Sequence, residues 1–121
     1  MAKHEFGIMN NKPMNKERFD EYNPNKYNCI SVDDDFIESI LSELQNVSCY
    51  WHTLQNKCNG LAYCGITLIP PESMDSLKSI LLLQDNIEYK GLIYLVNKAK
   101  EENKYIIHFG IEILIYKVYL S

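Results

Sequence analysis

Four cysteines, three histidines and nine tyrosines are the side chains of this 121-residue chain best able to attack, ligate or carry a proton. They concentrate between Ser48 and Ile69, a stretch holding Cys49, Cys58, Cys64, Tyr50, His52, Tyr63 and the single Trp51. Acid–base chemistry here would use His52 as the base and Tyr50 or Tyr63 as the acid. Nucleophilic chemistry would use Cys29 or Cys64. A metal held by His52, His108 and a cysteine would need three strands to converge, and the cysteine spacing matches no zinc or iron–sulfur pattern. No Gly-Xaa-Ser-Xaa-Gly elbow, phosphate loop or zinc-protease signature occurs. A lone histidine in a strand more often makes a structural hydrogen bond than performs catalysis. No catalytic residue is therefore assigned, and no metal or cofactor is expected.

The balance of charge narrows the partners. The net charge is −4, and eleven of the twelve basic residues are lysines, leaving only Arg18 for bidentate phosphate recognition. Stacking tyrosines without a basic surround lack the phosphate attraction, so nucleic acid is not an expected partner. The longest apolar stretch, Tyr105 to Leu120, is interrupted by His108, Glu112 and Lys117 and is short for a bilayer. The start, Met-Ala-Lys-His-Glu-Phe, lacks the apolar run of a signal peptide. The expectation is a cytoplasmic protein with no membrane partner, in which reducing conditions keep the cysteines as thiols.

The elements that must position these residues follow from periodicity. One domain is expected over 1–121, with an irregular arm at 1–25, a core at 26–110 and a tail at 111–121. In the arm, Phe6, Ile8 and Met9 suit at most a short edge strand, and Phe19 and Tyr22 could pin it to the domain. Lys26 to Val32 alternates as the first strand. Asp33, Asp34 and Asp35 end it, and Asp35 with Glu38 has capping-box spacing, which outweighs a divalent-cation reading. Phe36, Ile37, Ile40, Leu41 and Leu44 then predict a helix over 34–46. Strands at 48–55 and 61–69 flank an Asn-Gly turn. Pro70 and Pro71 stop the second of these and open a helical region that breaks at Gln84-Asp85-Asn86. A last strand is predicted over 105–109, and the tail reads as a further strand or as a helix.

That order is βαββαβ, the ferredoxin-like split βαβ arrangement. It implies an α+β fold with a four-stranded antiparallel sheet, helices on one face, and a possible extra C-terminal strand. Its third strand would lie between the second and the first. Alternation predicts that Ile30, Val32, Trp51, Ile66, Leu68, Ile107 and Phe109 face the helices. Tyr27, Cys29, Tyr50, His52, Tyr63, Thr67 and His108 would then gather on the open face.

Aromatic bodies with polar tips suit recognition. The expected function is a small non-catalytic binding protein gripping a protein or small-molecule partner through Tyr27, Tyr50, His52, Tyr63, Thr67 and His108. The alternative is a small enzyme using His52 with Tyr50 or Tyr63. Cover of this face by the arm, the tail or a second copy in a homodimer is the plainer outcome to set against both.

Overall fold

The computed structural model describes residues 2–111. The chain is α+β, with an open antiparallel sheet and helices on one face. The predicted tail conformation falls on residues 112–121 and lies outside the described residues. No helix among the described residues is long and apolar enough to cross a membrane.

Six strands rather than four form the sheet among the described residues. They are β1 (Lys3–Ile8), β2 (Ile30–Asp33), β3 (Ser48–Trp51), β4 (Lys57–Asn59), β5 (Ile66–Ile69) and β6 (Ile106–Phe109). Their order is β2-β1-β6-β5-β3-β4, and every neighbouring pair is antiparallel. Two strands come from places where the sequence predicts none in the core sheet. The start of the arm supplies β1, which lies inside the sheet between β2 and β6. The hairpin linker supplies β4, which pairs with β3 as an edge. As a result β5 sits between β3 and β6, and not next to β2 as expected.

The helices are α1 (Asp34–Glu38), α2 (Leu41–Leu44), α3 (Met74–Leu83) and α4 (Lys90–Glu102). The single helix predicted over 34–46 is two short ones, with Ser39 and Ile40 between them. The predicted break after α3 is real. Asp85 adopts a left-handed φ of 47°, and the Asn86 side chain accepts from the Glu88 N–H to start the next turn. Left-handed Asn103 then closes α4, a role asparagine fills more readily than most residues.

The sheet separates two apolar clusters. On the helix side, Phe6, Val32, Cys49, Ile69 and Ile106 meet Ile37, Leu44, Leu77, Leu81, Leu92 and Val96. On the other side lie Met9, Ile66, Leu68, Tyr105, Ile107 and Phe109, packed against Phe19, Tyr22, Tyr27, Tyr50 and Leu54. The arm therefore lies across the second face and closes it. Tyr22 meets Phe109 edge-on at 5.6 Å and donates its hydroxyl to the Glu5 carboxylate.

This corrects the predicted facing of two strands. Ile66, Leu68, Ile107 and Phe109 face the arm, while Thr67 and His108 face the helices. Both strands are central and buried at every position, so their sequences carry no alternation to read. Trp51 keeps its helix-side facing but is only half-buried, with its indole N–H donated to the Gly60 carbonyl at 2.9 Å.

Candidate functional site

The densest polar cluster inside the sheet starts on β1. His4, Phe6 and Ile8 alternate toward the helices, and β1 pairs Phe6 with His108 of β6, which in turn pairs with Thr67 of β5. This register places the rings of His4 and His108 in a stack, centroids 5.1 Å apart. The start of α1 adds Asp34, held near β1 by its own N–H donating to the Ala2 carbonyl at 3.0 Å. His4, Thr67 and His108 are fully buried.

Hydrogen bonds join these groups in one line. Asp34 Oδ1 lies 2.9 Å from His4 Nε2, and His4 Nδ1 lies 2.8 Å from His108 Nε2. His108 Nδ1 lies 3.0 Å from Thr67 Oγ1, which accepts the Ala62 N–H at 2.8 Å. At the outer end, the Tyr63 hydroxyl reaches both Asp34 oxygens at 2.6 and 2.7 Å. An ionised Asp34 fixes every proton inward. His4 must donate from Nε2 and accept at Nδ1, His108 must donate from Nε2, and Thr67 must donate to His108 Nδ1.

The electrostatics agree with that assignment. Burial lowers the His4 pKa, against the raising effect of Asp34, and lowers that of His108 well below 6.5, with His4 adding to the effect. Burial raises Asp34, but hydrogen bonds from Tyr63 and His4 outweigh it and leave its pKa below the usual carboxylate value. The Tyr63 hydroxyl is made a weaker acid by its bond to Asp34. The cluster is thus one carboxylate and two neutral imidazoles. It cannot carry protons through the protein, because its inner end stops at the Ala62 amide, which does not titrate. What it can do is fix β1, β5, β6 and α1 in a single register, since each shift would orphan a buried polar group.

The residues expected on one open face are dispersed. Tyr27 and Tyr50 pack in the arm-side cluster. Thr67 and His108 are buried on the helix side, and Tyr63 lies in the loop before β5 with its hydroxyl on Asp34. His52 has a left-handed φ of 64° just past β3 and clamps the arm. Its Nδ1 lies 2.9 Å from the Phe19 carbonyl and 3.1 Å from Asp20, and the Phe19 N–H donates to its carbonyl at 2.8 Å. The His52 ring nitrogens and the Tyr63 hydroxyl are therefore engaged elsewhere rather than with each other.

Two residues of the cluster are not among those the sequence singles out. His4 falls in the arm, although His4, Phe6 and Ile8 alternate as a strand should. Asp34 belongs to an acidic run whose composition suggests capping, yet α1 starts after Asp33 without a side-chain cap. Among the described residues, no group of three or more His, Cys, Asp or Glu is arranged to hold a metal ion.

A different surface stands out at the α3–α4 tip. Leu82, Leu83 and Ile87 are exposed by 54%, 83% and 78%. Leu81, Leu82, Ile87 and Ile93 line an open groove there, with Asp85, Asn86 and Lys90 at its rim. Tyr94, also exposed, follows Lys90 by one helical turn. Comparisons with protein-family models, curated proteins and solved structures found no match.

Proposed function

We propose that this chain is a non-catalytic binding protein whose contact surface is the apolar tip of the α3–α4 hairpin. The observation that carries this reading is the exposure of Leu82 and Ile87 in one open groove, with exposed Leu83 following Leu82 at the end of α3. Scattered exposed leucines are ordinary, but a contiguous apolar patch with a polar rim is the usual mark of a protein contact. The internal engagement of His52 and Tyr63 supports binding over the enzyme alternative.

The occupant is a second copy of this chain. The rim carries an acid at Asp85 and a base at Lys90, so a two-fold axis passing between them would set each copy's Lys90 against the other's Asp85. A partner of one charge sign would leave part of this rim opposed by like charge.

Sedimentation over a concentration series tests the assignment. The wild type should form dimers, and Leu83→Lys with Ile87→Lys should give monomers that keep the melting temperature of wild type diluted to monomer, since both side chains are exposed. A wild type that stays monomeric throughout would overturn the second copy as occupant. Dimers that persist in the double variant would overturn the surface.

A further inference from the structure

We propose that Cys49 and Cys58 form a reversible oxidation site, in which a hydroperoxide oxidises Cys58 and Cys49 resolves it to a disulfide. The two residues are direct cross-strand partners on β3 and β4, so both side chains leave the same face of the sheet. Two hydrogen bonds bracket the pair, Gly60 N–H to Val47 O at 2.8 Å and Trp51 N–H to Asn56 O at 3.0 Å. Alternation along the ladder makes Cys49–Cys58 a hydrogen-bonded pair too, with Cα atoms about 5.5 Å apart. That spacing is within the range disulfides use.

The two thiols differ in the way a reacting and a resolving cysteine should. Cys49 is fully buried, and burial pushes its thiol up to about 12, so it meets no oxidant from solution and keeps its proton until it transfers it to the hydroxyl departing from Cys58. Cys58 is half-exposed on the edge strand, its thiol 3.6 Å from the Asn56 side-chain oxygen. A hydroperoxide therefore reaches Cys58 first. The sulfur attacks the peroxide, the O–O bond breaks, and a sulfenic acid and one water (or alcohol) form. Cys49 sulfur then attacks the sulfenic sulfur. The S–O bond breaks, the S–S bond forms, and the hydroxyl leaves as water with the Cys49 proton. The two electrons lost by the thiols are those gained by the hydroperoxide.

The geometry also makes the bridge easy to reverse. Opposed Cβ atoms in a sheet lie about 4.5–5.5 Å apart, the wider end for a hydrogen-bonded pair, against roughly 3.8 Å in a disulfide. β4 must move inward to close the bond, which its three-residue length allows, as does an outer edge that pairs with no strand among the described residues. A bridge closed under such strain is readily reduced.

The test uses the full chain with Cys29→Ser and Cys64→Ser, so that only this pair can react. Stoichiometric hydrogen peroxide followed by alkylation and mass spectrometry should show a monomer lacking two hydrogens, with Cys49 and Cys58 both blocked and both restored by dithiothreitol. Cys49→Ser in the same background should stop at a sulfenic acid that dimedone traps. Bridge formation should be faster in the native protein than in urea. Over-oxidation of Cys58 with Cys49 still free, or an equal rate in urea, would overturn the proposal. Should the double serine variant fold poorly, the wild-type chain is treated in the same way and mapped by peptide. It should then yield the Cys49 and Cys58 peptides linked to each other, and their absence would overturn the proposal equally.

Discussion

Acid should weaken this fold well above the pH at which carboxylates protonate, because two of its three histidines sit where a proton is refused. His4 and His108 have folded-state pKa values below 6.5, while the unfolded chain titrates near that value. Above 6.5 neither state takes up these protons, and the contribution to stability is fully present. As the pH falls through 6.5 the unfolded chain binds protons that the native cluster does not, and stability declines down to each folded-state value. For a histidine that stays neutral in the native state, moving from pH 7 to pH 5 costs about 2 kcal/mol. That is a ceiling for each of the two, approached more closely by His108 than by His4, which Asp34 partly supports, so the decline is at most about 4 kcal/mol. Asp34 does not contribute in this window, since its lowered pKa places its protonation below 3.8. Urea unfolding at half-unit steps from pH 7 to 5 measures the slope. The same series on His108→Gln, which retains one donor and one acceptor, should lose at least half of the decline. A wild-type stability constant to within about 0.5 kcal/mol between pH 7 and 5 would refute the neutral-imidazole assignment.

Two substitutions test other parts of the structure. Thr67→Val orphans the Ala62 N–H and His108 Nδ1, both buried, and should cost about 2 kcal/mol or more, whereas Thr67→Ser should cost under about 1. Gly7→Ala would put a Cβ 2.7 Å from Tyr27 Cβ and from its carbonyl oxygen. The arm must lift, so the expected cost is about 1–3 kcal/mol, with faster proteolysis between residues 10 and 29. A loss under about 0.5 kcal/mol with unchanged proteolysis would contradict arm docking.

What the sequence makes legible is local. The α3–α4 break shows in Gln84-Asp85-Asn86 because turns need residues that tolerate left-handed backbone and cap the next turn. The apolar stripe of 36–44 is readable at helical spacing, though not the interruption at Ser39 and Ile40. Facing is legible in β2 and β3, which lie toward the sheet margins and keep some alternation. It is lost in β5 and β6, since a strand buried on both sides has no polar face to mark its phase. β1 is hidden by the polar residues that follow it, and β4 by a linker whose Asn-Gly pair reads as a turn. The candidate cluster is illegible for the same reason, because it depends on β1 bringing His4 to His108 across 104 positions of sequence. No local pattern encodes that meeting.

With helices on one side of the sheet and the arm across the other, neither face is bare among the described residues. The edges offer little more. β2 has four residues and β4 three, and short edges with charged residues such as Asp33 and Lys57 resist pairing with another chain. Among the described residues, apolar side chains reach solvent together at the α3–α4 tip, which none of the strands packs over. Folding and assembly therefore depend on separate residues. His4, Thr67 and His108 hold the sheet register and lie fully buried, whereas Leu83 and Ile87 contribute little to the core that α3 and α4 share through Leu77, Leu81, Leu92 and Val96. Changes at the tip should shift the oligomeric state while leaving the stability of the monomer unchanged, and changes in the buried chain should shift stability while the folded fraction still assembles. Coupled losses in both sets would mean that the tip is part of the core, contrary to its exposure.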